Sequence, residues 1–342
     1  MPVTQQDIAT RLGVSVATVS RALAGYSDIA PATRQRVLQA AKEMGYRPNV
    51  IARMLQKQRT DTIGFIIPTH GPRFSDPYFS ELLAGIGNAA TERDYDLLVS
   101  TCSPDTPEER QAYERFVQGR RVDGMLVVRT REQDVRIAYL LEQDFPFVIF
   151  GRSRVEGDFC YLDVDGTVGI REVTRHLINL GHRRIAILLP PDNLTFAYYR
   201  RLGFEEAMAE AGLPIDETLV AYGDLTERSG YEIGRAWLMR DEPPSAIVAC
   251  NDLMALGIIS AAQGLGLTVG QDVAVTGFDD VSLAAHSHPP LTTVRQPIYE
   301  IGKRICYMLV QLIAGETLEE RHVVLKPQLI VRESCGAKAS SQ

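Results

Sequence analysis

The stretch from Thr4 to Leu23 limits what this chain can fold into more than any other. Thr4, followed three residues later by Asp7, offers two side-chain acceptors to the free backbone N–H groups of a helix start, so a short helix is expected to about Leu12. Gly13 permits a sharp stop, and Ser15 can cap a second helix at the spacing of a helix-turn-helix. Val19 and Leu23, one turn apart, can pack on Ile8 and Leu12. That leaves Val16, Ala17, Ser20 and Arg21 facing water or a groove. Small side chains beside one arginine suit close approach to base edges, with the guanidinium reaching a guanine through paired donors. A third helix is expected from Pro31 through Val37, Ala40, Ala41 and Met44, ending near Gly45, which completes an all-α unit. Pro48 breaks the chain, and Asn49 can cap a further helix of about two turns, too short to order without a partner.

Charge divides the chain in the same place. Up to Arg59 nine basic side chains face three acidic ones, Asp7, Asp28 and Glu43, a balance of plus six; the whole chain carries minus seven, so the remainder carries minus thirteen. A basic module on an acidic body suits phosphate binding, because phosphate neutralisation supplies most of the sequence-independent affinity for DNA. The five cysteines are odd in number, scattered and never paired as C-x-x-C, which reads as free thiols in a reducing compartment. No apolar run approaches the ~20 residues needed to span a bilayer and no signal-peptide core is present, so the expected location is cytoplasmic, with no membrane partner.

From Thr62 onward apolar runs alternate with amphipathic ones. Strands are expected at Ile63 to Ile67, Tyr95 to Ser100, Gly124 to Val128, Phe147 to Phe150, Arg184 to Leu189, Ala246 to Cys250 and Val273 to Gly277, with helices between them. Continuous apolar strands separated by helices imply mostly parallel sheets covered on both faces, and the length allows two. Residues 334–342 read as a disordered tail.

Three segments, VTQQDIATRLGVSVATVSRAL, TRQRVLQAAKEMGYRPN and NVIARMLQKQRTDTIGFI, resemble the DNA-binding headpiece and hinge of the LacI/GalR transcription regulators. The resemblance is nearly gap-free over about sixty residues and continues at lower density to roughly Arg332. It implies base reading by Val16, Ala17 and Arg21, and phosphate contacts from Thr18 and Ser20. Leu55 matches the hinge leucine that wedges into the central step of the operator, with Gln56 beside it; Thr4, Ser15, Asn49, Ala52 and Arg53 complete the expected DNA-facing set. Ala30 departs from the family's capping serine before the third helix.

For the body, the resemblance implies the fold of type I periplasmic sugar-binding proteins, two α/β subdomains with three crossings between them. The implied division is a headpiece over 1–48, a hinge over 49–60 and an effector body over 61–333. Within the body, subdomain one covers about 61–161 and 296–323, and subdomain two 162–295 and 324–333. Ligands of open α/β sheets lie beyond the carboxyl ends of the strands, which places the effector between subdomains. Tyr78 and Phe79 resemble effector-stacking aromatics of the family, Arg200 matches its effector-binding arginine, and Asn251 and Asp279 match polar residues that hold sugar hydroxyls. Leu225 stands where relatives place an aromatic. Gly151-Arg152 stands where the family's namesake has an aspartate.

The expected partners are therefore an inverted-repeat operator, a small molecule, most simply a sugar, and a second copy of the chain. The tail after Arg332 lacks the leucine heptad through which some relatives tetramerise, so a homodimer is expected. No cofactor, metal or catalytic residue is called for. Gly85-Ile86-Gly87-Asn88-Ala89-Ala90 fits a dinucleotide pattern but lies in a helical stretch, His286 and His288 lack a third ligand, and adjacent Asp279 and Asp280 have no nucleophile beside them. A sugar-transport binding protein and a sugar-modifying enzyme are the competing classes.

Overall fold

In the computed structural model, residues 3–46, 59–69 and 76–337 are described, and the chain divides into two compact units at Arg59/Thr60. The first unit is three helices: α1 (Gln5–Leu12), α2 (Val16–Leu23) and α3 (Pro31–Glu43). The capping box forms as the spacing requires, with the Asp7 amide donating to Thr4 Oγ1 (3.3 Å) and the Thr4 amide to Asp7 Oδ2 (2.8 Å). Gly13 closes α1 at φ 66°, a left-handed conformation that glycine enters without a Cβ penalty. Ala30 gives α3 no side-chain cap, and Pro31 alone shapes its start. Ile8, Val19 and Val37 are fully buried and bring the three helices onto one small core.

The second unit is α/β. Its first sheet has six parallel strands in the order β11-β5-β4-β3-β1-β2: β1 (Thr62–Pro68), β2 (Asp96–Cys102), β3 (Gly124–Val127), β4 (Phe147–Phe150), β5 (Cys160–Val164) and β11 (His322–Leu325). Helices α4 (Pro77–Glu92), α5 (Pro107–Val117) and α6 (Val135–Glu142) alternate with these strands. The second sheet is parallel in the order β7-β6-β8-β9: β6 (Ile185–Leu189), β7 (Val220–Tyr222), β8 (Ala246–Ala249) and β9 (Ala274–Thr276). Around it stand α7 (Gly166–Asn179), α8 (Thr195–Glu210), α9 (Glu227–Leu238), α10 (Asp252–Gly264) and the short α11 (Ser282–His286). An antiparallel pair, β10 (Thr293–Arg295) with β12 (Gln328–Ile330), lies where the chain passes between the halves, and α12 (Ile298–Ala314) packs on α4. The chain thus crosses three times, after Val164, Arg295 and Leu325.

Strand alternation builds the first sheet's two faces. Ile63, Phe65 and Ile67 of β1 join Leu82, Ile86, Ile301 and Ile305 on one side, whereas Ile66 joins Tyr113 and Phe116 on the other. A Cβ on Gly85 would stand 2.1 Å from the Tyr299 carbonyl, so the glycines read as a dinucleotide pattern sit within α4, where Gly85 lets α12 approach.

Two expectations change. The first sheet runs past the expected boundaries of about 161 and 323, because β5 reaches Val164 and β11 pairs with it to Leu325. The tail expected to be disordered is ordered at its start. Ser334 Oγ accepts from the Thr292 amide (2.8 Å) and donates to the Val275 carbonyl (2.6 Å), and Cys335 is 1% exposed against the second core. Residues 338–342 lie outside the described residues.

Truncation after Glu333 should therefore lower stability by about 3 kcal/mol or more, since a buried donor and a buried acceptor lose their partner at once. Truncation after Ala337 should be close to neutral, and equal urea midpoints for the two truncations would refute the correction.

Candidate effector cleft and DNA-reading face

On the first unit, α2 leaves Val16, Ala17 and Arg21 exposed and Thr18 and Ser20 half-exposed, while Val19 and Ala22 are buried beneath them. Ser15 Oγ accepts from the Thr18 amide (3.0 Å) and lies 2.8 Å from Thr18 Oγ1. Thr4 and Ser15 thus hold helix starts as well as standing on the exposed face. Arg21 is paired with Asp28, and its guanidinium lies 5.5 Å from the Tyr26 ring centre. With half of the side chain exposed, that pairing is worth well under 1 kcal/mol and yields readily to a phosphate or a guanine. Asn49, Ala52, Arg53, Leu55 and Gln56 lie outside the described residues.

The second unit brings all six expected effector residues to one cavity, at the carboxyl ends of strands from both sheets. Phe79 is 2% exposed and meets Tyr78 edge-on at 5.6 Å between centroids. Arg200 comes from the second turn of α8; it donates to the Cys250 carbonyl and lies between the rings of Phe278 (3.9 Å) and Phe196 (4.7 Å). Asn251 caps α10, accepting from the Met254 amide (3.0 Å) and donating to the Leu225 carbonyl (3.0 Å). Leu225, at φ 69°, offers an aliphatic wall in place of a ring.

Asp279 combines an unusual backbone with a perturbed carboxyl. Its φ is 122°, a costly conformation for a residue with a Cβ, and Gln296 Nε2 donates to its Oδ1 (2.6 Å). Burial pushes its carboxyl up to about 7, against the downward pull of Arg200 and of the Gln296 hydrogen bond. Asp252 behind it is fully buried and raised well above its ordinary range by burial and by Asp279, although Thr293 Oγ1 and the Val281 amide donate to it.

Two ion pairs at or beside the cavity were not foreseen from sequence. Arg129, at φ 50°, follows β3 and pairs with Asp76 (3.0 Å), its guanidinium 4.8 Å from the Phe79 ring centre. Arg152 pairs with Asp163 (2.6 Å) and lies 3.5 Å from the Tyr199 ring centre. Burial raises the carboxyls of Asp76 and Asp163, and Arg129 and Arg152 respectively pull them back. Position at a strand end was the available signal for Arg129; the pairings join residues 53 and 11 apart in sequence and left none. Three polar atoms near the cavity, Tyr78 Oη, Arg152 Nη2 and Arg200 Nε, are buried and bond to no other atom of the described residues. His286 Nδ1 donates to the Ser282 carbonyl of its own helix (2.8 Å), and no group of three metal-ligating side chains occurs among the described residues.

A reading helix on a three-helix unit, joined to a two-sheet body with a polar and aromatic cleft, defines a ligand-responsive DNA-binding regulator. The comparisons say the same of the chain as a whole. The profile described as bacterial regulatory proteins, lacI family, matches residues 4–49, and the periplasmic binding protein-like domain matches residues 174–335. The HTH-type transcriptional regulator CelR of Thermobifida fusca is 37% identical over 334 residues, 97% of this chain and 98% of its own. AglR of Rhizobium meliloti (strain 1021), also an HTH-type transcriptional regulator, is 36% identical over 98% of this chain and 95% of its own. Among solved structures, a CelR–cellobiose complex aligns with TM-score 0.75 at 36% identity, covering 97% of this chain and 99% of that one. A lac repressor dimer bound to operator and the anti-inducer ONPF aligns at 0.86 and 27%, covering 98% and 100%. The chain belongs to the lacI family of bacterial transcription regulators. Its work is regulated DNA binding, not catalysis, and no helix among the described residues is long and apolar enough to cross a membrane.

Asp279 gives the cleft a pH signature. It holds its proton to about pH 7 when folded and loses it near its ordinary value of 3.8 when unfolded, so the native state binds more protons between these limits and stability falls as pH rises through them. Asp279→Asn removes that fall. Its stability relative to wild type should rise between about pH 4 and 7 and then level off in urea titrations, and a difference independent of pH would contradict the assignment.

Proposed function

We propose that a sugar held in this cleft by Tyr78, Phe79, Arg200, Leu225, Asn251 and Asp279 controls repression at an inverted-repeat operator, with the protein acting as a cytoplasmic homodimer. The observation that carries this reading is the composition of the cavity wall. Aromatic rings at Tyr78, Phe79, Phe196 and Tyr199 stand beside buried polar atoms at Tyr78 and Arg200 that the described protein leaves unpartnered. A buried polar group without a partner costs about 1–3 kcal/mol, which a ligand rich in hydroxyls relieves while its ring faces pack on the aromatics. The relative solved with cellobiose points to the same ligand chemistry. On the headpiece, Val16, Ala17 and Arg21 read bases, Thr18 and Ser20 hold phosphates, and operator symmetry follows from pairing two chains.

Calorimetry against a panel of mono- and disaccharides tests the effector half. Arg200→Lys keeps the charge but loses the planar fork and the stacking between Phe196 and Phe278, so the affinity for whichever sugar binds should fall about tenfold to a hundredfold. Unchanged affinity in that variant, or no sugar binding by wild type, would overturn the reading. For the DNA half, Arg21→Ala should weaken binding to a cognate palindrome by about 1–3 kcal/mol and narrow the gap to random duplex. An equal loss on both duplexes would instead make Arg21 a phosphate contact.

A further inference from the structure

Acidic and basic side chains gather round the cleft in matched numbers. Among the described residues, Asp76, Asp163 and Asp279 face Arg129, Arg152 and Arg200. Two of the arginines are already committed. Arg129 donates to Asp76 Oδ2 (3.0 Å) and Arg152 to Asp163 Oδ2 (2.6 Å), with no side chain of the four more than 22% exposed. Arg200 gives Nη1 to the Cys250 carbonyl, and Asp279 lies within its field.

The helix starts at the cavity are committed as well. A helix N-terminus ordinarily attracts phosphate through its free amides. Here the α4 start is capped by Asp76, whose Oδ1 accepts from the Tyr78 amide (3.1 Å), and the α7 start by Asp165, which accepts from the Val168 amide (3.0 Å). Asn251 caps α10, and the first amide of α8, Thr195, donates to the Thr130 carbonyl (2.9 Å). The carboxylate of Asp76 therefore holds both the nearest guanidinium and the nearest helix start.

A sugar phosphate or a uronate entering this cleft has to displace a carboxylate from Arg129 or Arg152, leaving a buried aspartate unpaired, or, above about pH 7 where Asp279 has given up its proton, lie beside that carboxylate with its own charge unmatched. Either outcome places an uncompensated charge in a partly dry site. A neutral sugar leaves both pairs intact, accepts from Arg200 Nε, and donates to the remaining lone pairs of the carboxylates. We propose that the cleft selects uncharged carbohydrate and rejects phosphorylated and uronic-acid sugars, with Asp76 and Asp163 as the specificity-determining residues through their hold on Arg129 and Arg152. This rests on the reading of the cleft as a sugar site.

Calorimetry at about pH 8, where Asp279 is ionised, with cellobiose, maltose, glucose, glucose 6-phosphate and glucuronate separates the possibilities. At least one neutral sugar should bind about a hundredfold more tightly than either anion. Asp76→Asn and Asp163→Asn are isosteric, and at the α4 start asparagine caps as well as aspartate does, so both variants should fold. Each frees an arginine and should move the neutral-to-anion preference toward the anions by about tenfold or more. Should one variant fail to fold by circular dichroism, the other carries the same test. Wild type binding glucose 6-phosphate more tightly than every neutral sugar would overturn the selectivity while leaving a sugar site in place. An unchanged preference in the folded variants would overturn the role of the two aspartates. Binding of no sugar, neutral or charged, would remove the underlying reading.

Discussion

Charge taken out of water has to be matched, and in the effector body that requirement sets which residues can stand round the cleft. Arg129 and Arg152 could not be placed there at tolerable free energy without Asp76 and Asp163, because one uncompensated buried ion costs several kcal/mol; Arg200 is held by the Cys250 carbonyl and two rings, with Asp279 answering it once ionised. The matching draws on both sheets. Asp76 sits beyond β1, Arg129 beyond β3, Arg152 beyond β4, Asp163 in β5 and Asp279 beyond β9, so the cleft is neutral only when all those strand ends are in place. The backbone shows what this arrangement demands. Arg129, Leu225 and Asp279 all have positive φ, a conformation worth about 1–3 kcal/mol of strain each, held by the bonds on either side.

The same matching bears on how a ligand acts. A sugar contributes no net charge, so its grip comes from hydrogen bonds and ring contacts, which are short-ranged and depend on how closely the two halves of the body approach. The cleft halves already touch directly, through the Thr195 amide on the Thr130 carbonyl and Asn193 Nδ2 on Asp105 Oδ2 (2.9 Å). A near-complete switch of operator binding requires the ligand to favour one state by about 5.5 kcal/mol. Three or four hydrogen bonds to charged or buried groups, made in one state only, suffice for that.

Much of this was legible in the sequence, and what was legible was local. The caps at Thr4 and Ser15, the stop at Gly13 and the uncapped start after Ala30 depend on residues within one turn of each other, and each appears as expected. The apolar strands β1, β3, β4, β6, β8 and β9 were also legible, because burial on both faces writes a continuous run. Strands with a broken or polar run were not. β5 reads as Cys160-Tyr161-Leu162-Asp163-Val164, with an aspartate and a half-buried tyrosine breaking the run, while β10 and β12 have three residues each. The tail misled for a related reason. Ser334-Cys335-Gly336 has a polar, small-residue composition, yet its order comes from one hydroxyl bonding Thr292 and Val275, more than forty residues away. In the cleft, resemblance supplied Arg200, Asn251 and Asp279, whereas Asp76, Arg129, Arg152 and Asp163 acquire meaning only as pairs. Gly151-Arg152 was noticed as the loss of an aspartate. The structure shows what stands there instead: an arginine already answered by Asp163.

Binding of DNA and of sugar must be linked if the cleft governs the headpiece, and linkage is reciprocal. The most direct measurement is a fluorescence-anisotropy titration of a palindromic operator duplex at fixed ionic strength, with and without a saturating neutral sugar found to bind, paired with calorimetry of that sugar in the presence and absence of the duplex. The sugar should change operator affinity by about tenfold or more, and the operator should change sugar affinity by the same factor. Operator affinity that is indifferent to a sugar bound in the cleft would show that the two units act independently and that the cleft does not regulate the DNA-reading face.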